Sequence, residues 1–177
     1  MDARGMFKIT GRYKELIIGS GGENIAPVPI EDNIKKLSPA ISNVMMVGDK
    51  RKFNVALVTL KAFGTGELSG GNELEGPALK ISDGITTISG ACKDETFIKH
   101  VTDTIIATNN DGAVTTINAA KIQKFSILPA DFSVTDGDLT ATLKTKRSVI
   151  EAKYASTIEK MYASKDTFVE CDCPYQE

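Results

Sequence analysis

Residues 41–60, ISNVMMVGDKRKFNVALVTL, divide into two apolar, β-prone runs, Ile41–Val47 and Phe53–Leu60, around the polar stretch Gly48 to Lys52. Two such runs about a short polar turn predict a β-hairpin. Upstream, Ile30, Ile34 and Leu37 recur at i, i+4 and i+7, which predicts a helix over 29–37 with Pro29 at its first position. Glu31 and Asp32 then fall near the positive end of its dipole and Lys35 and Lys36 near the negative end. The glycine-dense GSGGEN, residues 19–24, precedes that helix, and 6–10 and 14–18 are short strand candidates before it. Downstream, 63–91 is rich in Gly, Ser and Glu without an apolar period and predicts a mobile surface excursion. Phe97, Val101 and Ile105 predict a helix from about 94 to 108, and 122–128 reads as a strand ended by Pro129. Ile150, Tyr154, Ile158 and Met161 share one face of a final helix over 147–162, followed by a polar tail, 164–177. Short strands flanked by helices without strict βαβ alternation indicate an α+β fold in one domain, residues 1–163.

Composition narrows the function classes. Lys and Arg total 21 against 23 Asp and Glu, a net charge of −2, which argues against an electrostatic nucleic-acid binder. The 177 residues contain no apolar run near the ~18 needed to span a membrane, and the first ten lack the apolar core of a secretory signal. A soluble intracellular domain is expected. The cysteines number three, so a complete disulfide framework is impossible; Cys171 and Cys173 read as reduced thiols in the tail. The one histidine, His100, leaves no His-based metal cluster and reads as an ordinary helix residue. No metal site is expected from this chain.

Two stretches could carry chemistry. In GRYKELIIGSGGEN, the glycines permit close backbone approach to a ligand, and Arg12 and Lys14 flank the loop. Its spacing is neither GxGxxG nor GxxxxGK[ST], so pattern alone favours a plain turn. In LTATLKTKRSV, Lys144, Lys146 and Arg147 lie within four residues just ahead of a helix, the wrong end for positive charge, which hints at an anionic ligand. A solvated basic turn is the competing reading.

In order along the chain, GRYKELIIGSGGENIAPVPIED, ISNVMMVGDKRKF with ALVTLK, IQKFSILPADFS and LTATLKTKR resemble the C-terminal domain of AMP-forming long-chain acyl-CoA synthetases, nearest the bubblegum-type very-long-chain branch. The resemblance covers most of residues 2–163 apart from 63–91. It implies a two-step reaction: fatty acid and ATP give an acyl-adenylate and pyrophosphate with Mg2+, and coenzyme A then gives acyl-CoA and AMP. It implies a partner too, a large N-terminal domain holding most of the ATP and fatty-acid sites, over which this small domain turns as a lid between the two steps. The threonine- and glycine-rich phosphate loop of that large domain is absent here, so the chain alone is expected to be inactive and to be part of a longer protein. A cytoplasmic location follows, with any peripheral membrane association not encoded in this stretch.

Residue by residue, the resemblance assigns Arg12 to the ribose hydroxyls of the adenylate, Lys14 to the hinge, and Gly21, Gly22, Glu23 and Asn24 to the loop lining the pantetheine tunnel. Lys144 becomes the lysine of the adenylation step. Many members of that family carry glycine directly before this lysine, where Leu143 stands here, so Lys146 is a rival; the lysine-x-x-arginine spacing to Arg147 selects Lys144. The alternative to a ligase lid is a free-standing, non-catalytic binding or regulatory module derived from one.

Overall fold

The computed structural model describes residues 15–64 and 71–173. The predicted hairpin forms as β3 (Ile41–Val47) and β4 (Asn54–Leu60), antiparallel with Val47 opposite Val55. It is preceded by the two-residue strands β1 (Ile17–Ile18) and β2 (Asn24–Ile25), which pair with each other across the glycine loop. The candidate strand 6–10 lies outside the described residues. β5 (Ile122–Ile127) adds parallel to β4, giving a mixed three-stranded sheet in the order β3-β4-β5.

Alternation along the strands explains why this sheet is covered on both faces. Val44, Met46, Ala56 and Val58 point into one apolar cluster, whereas Met45, Val47, Val55 and Leu57 point into another. Every residue of the central β4 is therefore buried, as its nearly unbroken apolar run requires. The first cluster is closed by α1 (Pro27–Leu37) through Ile30 and Ile34, and by α3 (Glu95–Asn110) through Phe97, Val101 and Ile105. The second is closed by α4 (Arg147–Lys153) and α5 (Ala155–Ala163) through Ile150, Ile158 and Met161. The architecture is the small α+β domain expected, three layers deep.

Four details differ from the sequence reading. α1 begins at Pro27, with prolines in its first turn, so Glu31 and Asp32 sit beyond that turn and are not dipole charges. Glu31 is instead buried. Within the supposed excursion, residues 71–91 hold a 3-10 helix (Gly76–Lys80) and the short α2 (Ile88–Ala91), and Leu74, Ala78, Ile88 and Ala91 are buried in the first cluster. These apolar residues are irregularly spaced, so no period announces them. The final helix is broken at Tyr154, whose φ of −108° and ψ of 23° leave helical space. The tail does not end at the domain border: Phe125 N–H donates to Thr167 O (2.9 Å), Val169 N–H donates to Phe125 O (3.0 Å), and Val169 and Cys171 are buried. This segment covers the outer edge of β5, which would otherwise present unpaired backbone groups.

Candidate functional site

Lys144 sits in a tight strap ahead of α4. Thr140 N–H donates to Lys144 O (2.8 Å), Leu143 N–H donates to Thr140 O (2.8 Å), and Lys144 N–H donates to Thr140 Oγ1 (3.1 Å). Leu143 adopts φ +57°, the left-handed torsion that glycine takes without strain. The departure from glycine at this position therefore leaves the turn in place. Lys144 is exposed, and among the described residues its ammonium has no hydrogen-bond or ion-pair partner. It lines a cleft of about 350 Å³ together with Glu15, Val28, Asp32, Lys35 and Asn43. Lys146 stands at the N-cap of α4 and is not among the residues lining that cleft.

Arg147, which the sequence reading grouped with Lys144 and Lys146 as a cation for an anionic ligand, is instead held inside. Its Nη2 donates to both carboxylate oxygens of Glu31 (2.7 and 2.6 Å) and its Nη1 to Met46 O (3.2 Å). Glu31 Oε1 also accepts from Met46 N–H at 2.7 Å. Burial pushes the Glu31 carboxyl above its ordinary pKa, and Arg147 and the Met46 N–H counter that only in part. Sequence reasoning missed this pair, although a signal existed: Pro27, Ile30, Glu31 and Ile34 form the buried face of α1, so a carboxylate falls on an apolar stripe. Asp131 was missed as well. Its buried carboxylate gathers Ser42 Oγ (2.5 Å), Asn43 Nδ2 (2.9 Å) and the Thr59 hydroxyl, fixing the loop after β5 against β3 and β4.

The glycine loop lines a second cleft, of about 180 Å³, with Arg51, Lys52, Phe53 and Asn54. Gly22 has φ +87°, and the loop closes through Gly22 N–H to Gly19 O (2.9 Å) and Gly19 N–H to Glu23 O (3.1 Å). Ser20 N–H donates to Arg51 O (3.0 Å), which ties the loop to the turn of the hairpin. A Cβ at Gly21 would lie 2.5 Å from Glu23 Oε1, so the Glu23 carboxylate covers this glycine. Asn24 begins β2. Arg51 pairs with Glu159 and stacks 4.6 Å from the Tyr162 ring centroid, joining this cleft to α5. The Tyr162 hydroxyl, pushed up to about 12 chiefly by burial, donates to Val47 O and Phe53 O.

The Lys144 cleft and the glycine-loop cleft share no lining residue, so Lys144 is not brought together with Gly21 and Glu23, whereas Asn24 lines another cleft, of about 510 Å³, that shares Val28 and Asp32 with the Lys144 cleft. Arg12 and Lys14 lie outside the described residues. His100 is half-buried with Nε2 2.8 Å from Ser38 Oγ; burial lowers its pKa, partly opposed by Asp103. Cys171 Sγ lies 3.3 Å from Thr157 Oγ1, and burial, with Cys171 beside it, pushes the Cys173 thiol up to about 11. Among the described residues, no group of His, Cys, Asp or Glu side chains is arranged to hold a metal ion. No helix there is long and apolar enough to cross a membrane.

Residues 14–74 match the family described as the AMP-binding enzyme C-terminal domain. The chain is 42% identical over 173 residues to the long-chain-fatty-acid–CoA ligase ACSBG2 of Gallus gallus, covering 94% of this chain and 22% of that protein. It is 39% identical over 169 residues to the long-chain-fatty-acid–CoA ligase ACSBG1 of Homo sapiens, covering 92% and 23%. The chain thus spans about a fifth of the length of the curated relatives it matches. Among solved structures, the adenylation domain of a carboxylate reductase from Mycobacterium chelonae superposes with a TM-score of 0.65 at 18% identity, covering 89% of this chain and 21% of that one. The corresponding domain of a carboxylic acid reductase from Segniliparus rugosus, in complex with AMP and a co-purified carboxylic acid, gives 0.62 at 21% identity, covering 92% and 22%. At these identities the likeness is one of fold. Fold, matched domain and relatives agree: the chain belongs to the C-terminal domains of AMP-binding enzymes, in the branch of the bubblegum-type long-chain-fatty-acid–CoA ligases.

Proposed function

We propose that this chain is the lid of an AMP-forming long-chain fatty acid–CoA ligase and that Lys144 serves its first half-reaction. In that step a fatty-acid carboxylate oxygen attacks the α-phosphorus of ATP and pyrophosphate leaves. Two anions must approach each other, and an ammonium between their oxygens screens the repulsion and stabilises the charge of the transition state. The observation that carries this reading is the exposed ammonium of Lys144, without a partner among the described residues, on a strap whose flanking cation, Arg147, is already committed to Glu31. In the second step the coenzyme A thiol attacks the acyl carbonyl of the adenylate and AMP leaves. The Gly21–Gly22 loop with Glu23 and Asn24 would then flank the pantetheine arm, Arg12 would hold the ribose, and the backbone of Lys14 would be the hinge. Two separate clefts on one small domain suit a lid that presents a different face in each step.

The remaining machinery, with ATP and any Mg2+, belongs to the large N-terminal domain of the same protein; the described residues here offer Mg2+ no ligand cluster. Its co-substrates ATP and coenzyme A support a cytoplasmic site of action, and its apolar fatty-acid substrate supports loose contact with a membrane surface. Nothing in the structure favours the free-standing module.

Lys144→Ala in the ligase that carries this domain tests the reading. Acyl-adenylate formation is expected to fall by about 10²–10³, the usual cost of one transition-state contact. Thioester formation from supplied acyl-adenylate should stay within a few-fold of wild type. Equal losses in both steps would remove the assigned role, and the same split produced by Lys146→Ala instead would transfer it.

A further inference from the structure

The strap that carries Lys144 is clamped at both ends. At its start, Asp138 accepts Lys146 N–H at its backbone oxygen (2.8 Å) and Lys153 Nζ at its buried carboxylate (2.9 Å). At its end, Arg147 is fastened to Glu31 of α1 and to Met46 O of β3. The Glu31 carboxylate is the node: it receives Met46 N–H and the Arg147 guanidinium at once, so one buried side chain joins a helix, a strand and the first residue of α4. A buried ion pair is a poor way to gain stability, because desolvation offsets most of the attraction; what it supplies is a fixed geometry. Lys144, three residues before that anchor, projects from the strap into the cleft that Glu31, Asp32, Lys35 and Arg147 also line.

We propose that Glu31 is a positioning residue for Lys144: through Arg147 it fixes the start of α4 and so the strap that presents the Lys144 ammonium to the cleft. The inference deepens the adenylation reading of Lys144 and rests on it for its catalytic consequence, though the tether itself does not.

Two measurements on Glu31→Gln separate the tether from that reading. The amide oxygen can still accept from Met46, but Arg147 loses its countercharge. In this chain, amide hydrogen exchange at residues 143–147 is expected to accelerate at least ten-fold while β4 amides keep their protection. In the ligase that carries this domain, acyl-adenylate formation is expected to fall about 10- to 100-fold through misplacement of the ammonium. The KM for ATP should change little, and thioester formation from supplied acyl-adenylate should be retained. The charge-swapped pair Glu31→Arg with Arg147→Glu restores a link across the same gap and should recover part of both effects; it also serves if Glu31→Gln does not fold. Unchanged exchange at 143–147, or parallel loss of both half-reactions, overturns the proposal. Faster strap exchange in Glu31→Gln alongside a harmless Lys144→Ala would keep the tether and refute the role of Lys144. A crippling Lys144→Ala with an untouched strap and intact adenylation in Glu31→Gln would do the reverse.

Discussion

Leu143 is 57% exposed and holds φ +57°, so its side chain gains little from burial while its backbone occupies a region that costs a β-carbon-bearing residue about 1–2 kcal/mol. Glycine there would remove that cost but lose about 0.5–1 kcal/mol through the greater freedom of the unfolded chain. Leu143→Gly should therefore leave the domain as stable as wild type or up to about 1.5 kcal/mol more so, read as a urea midpoint. A clear drop would mean that the leucine side chain, rather than its torsion, matters to the strap. Of the site, the residues themselves announced a basic cluster before a helix and a glycine loop, and the choice of Lys144 over Lys146 came with the family resemblance. That Lys144 has no partner among the described residues, Lys146 lies off the cleft and Arg147 is tethered depends on where α1 and β3 stand, and the decisive partner, Glu31, is 116 residues from Arg147.

α1 and α3 meet on one face of the sheet and are joined by polar contacts at both ends of their overlap. Asn33 Nδ2 donates to Thr108 Oγ1 (3.2 Å), and Ser38, buried at the C-cap of α1, lies against His100 Nε2 (2.8 Å). Burial favours the neutral imidazole, so the folded His100 releases its proton at a lower pH than the unfolded chain does. The sign follows from linkage: between the two pKa values the unfolded state binds more protons, so stability rises with pH there. This contribution is complete above the unfolded value near 6.5 and is lost as pH falls from there through the lower folded value. Urea midpoints should fall between pH 7.5 and 5.5 by more in wild type than in His100→Gln, and identical slopes would show that burial does not perturb this ring. Elements with strong periods, the hairpin, α1, α3 and β5, were visible in sequence to within a few residues. Those resting on tertiary burial were not. Leu74, Ala78 and Ile88 form no pattern, the break at Tyr154 has neither Gly nor Pro to mark it, and the tail looks polar although Val169 and Cys171 turn inward.

One sheet serves two apolar clusters, and β4 supplies alternate residues to both: Ala56 and Val58 to the α1–α3 side, Val55 and Leu57 to the α4–α5 side. Neither cluster can lose its wall without exposing the other, so the domain should unfold as one cooperative unit although its helices form two separate layers. The chain carries a reporter on each side, since Cys92 is buried in the first cluster and Cys171 in the second. Phe97, fully buried against the first cluster, is the residue to cut. Phe97→Ala should cost about 3–5 kcal/mol, the usual range for a core aromatic, out of a total of about 5–15 kcal/mol for a domain. Thiol labelling of each cysteine along a urea titration, resolved by mass spectrometry, should then show the midpoints of Cys92 and Cys171 falling together. If Cys92 alone becomes accessible at lower urea, the two faces are separate folding units, and a lid built from them would turn as two bodies rather than one. A common shift would mean that strain on the α1 side, where Glu31 anchors the Lys144 strap, is borne by the whole domain, as a lid that swings as a rigid body requires.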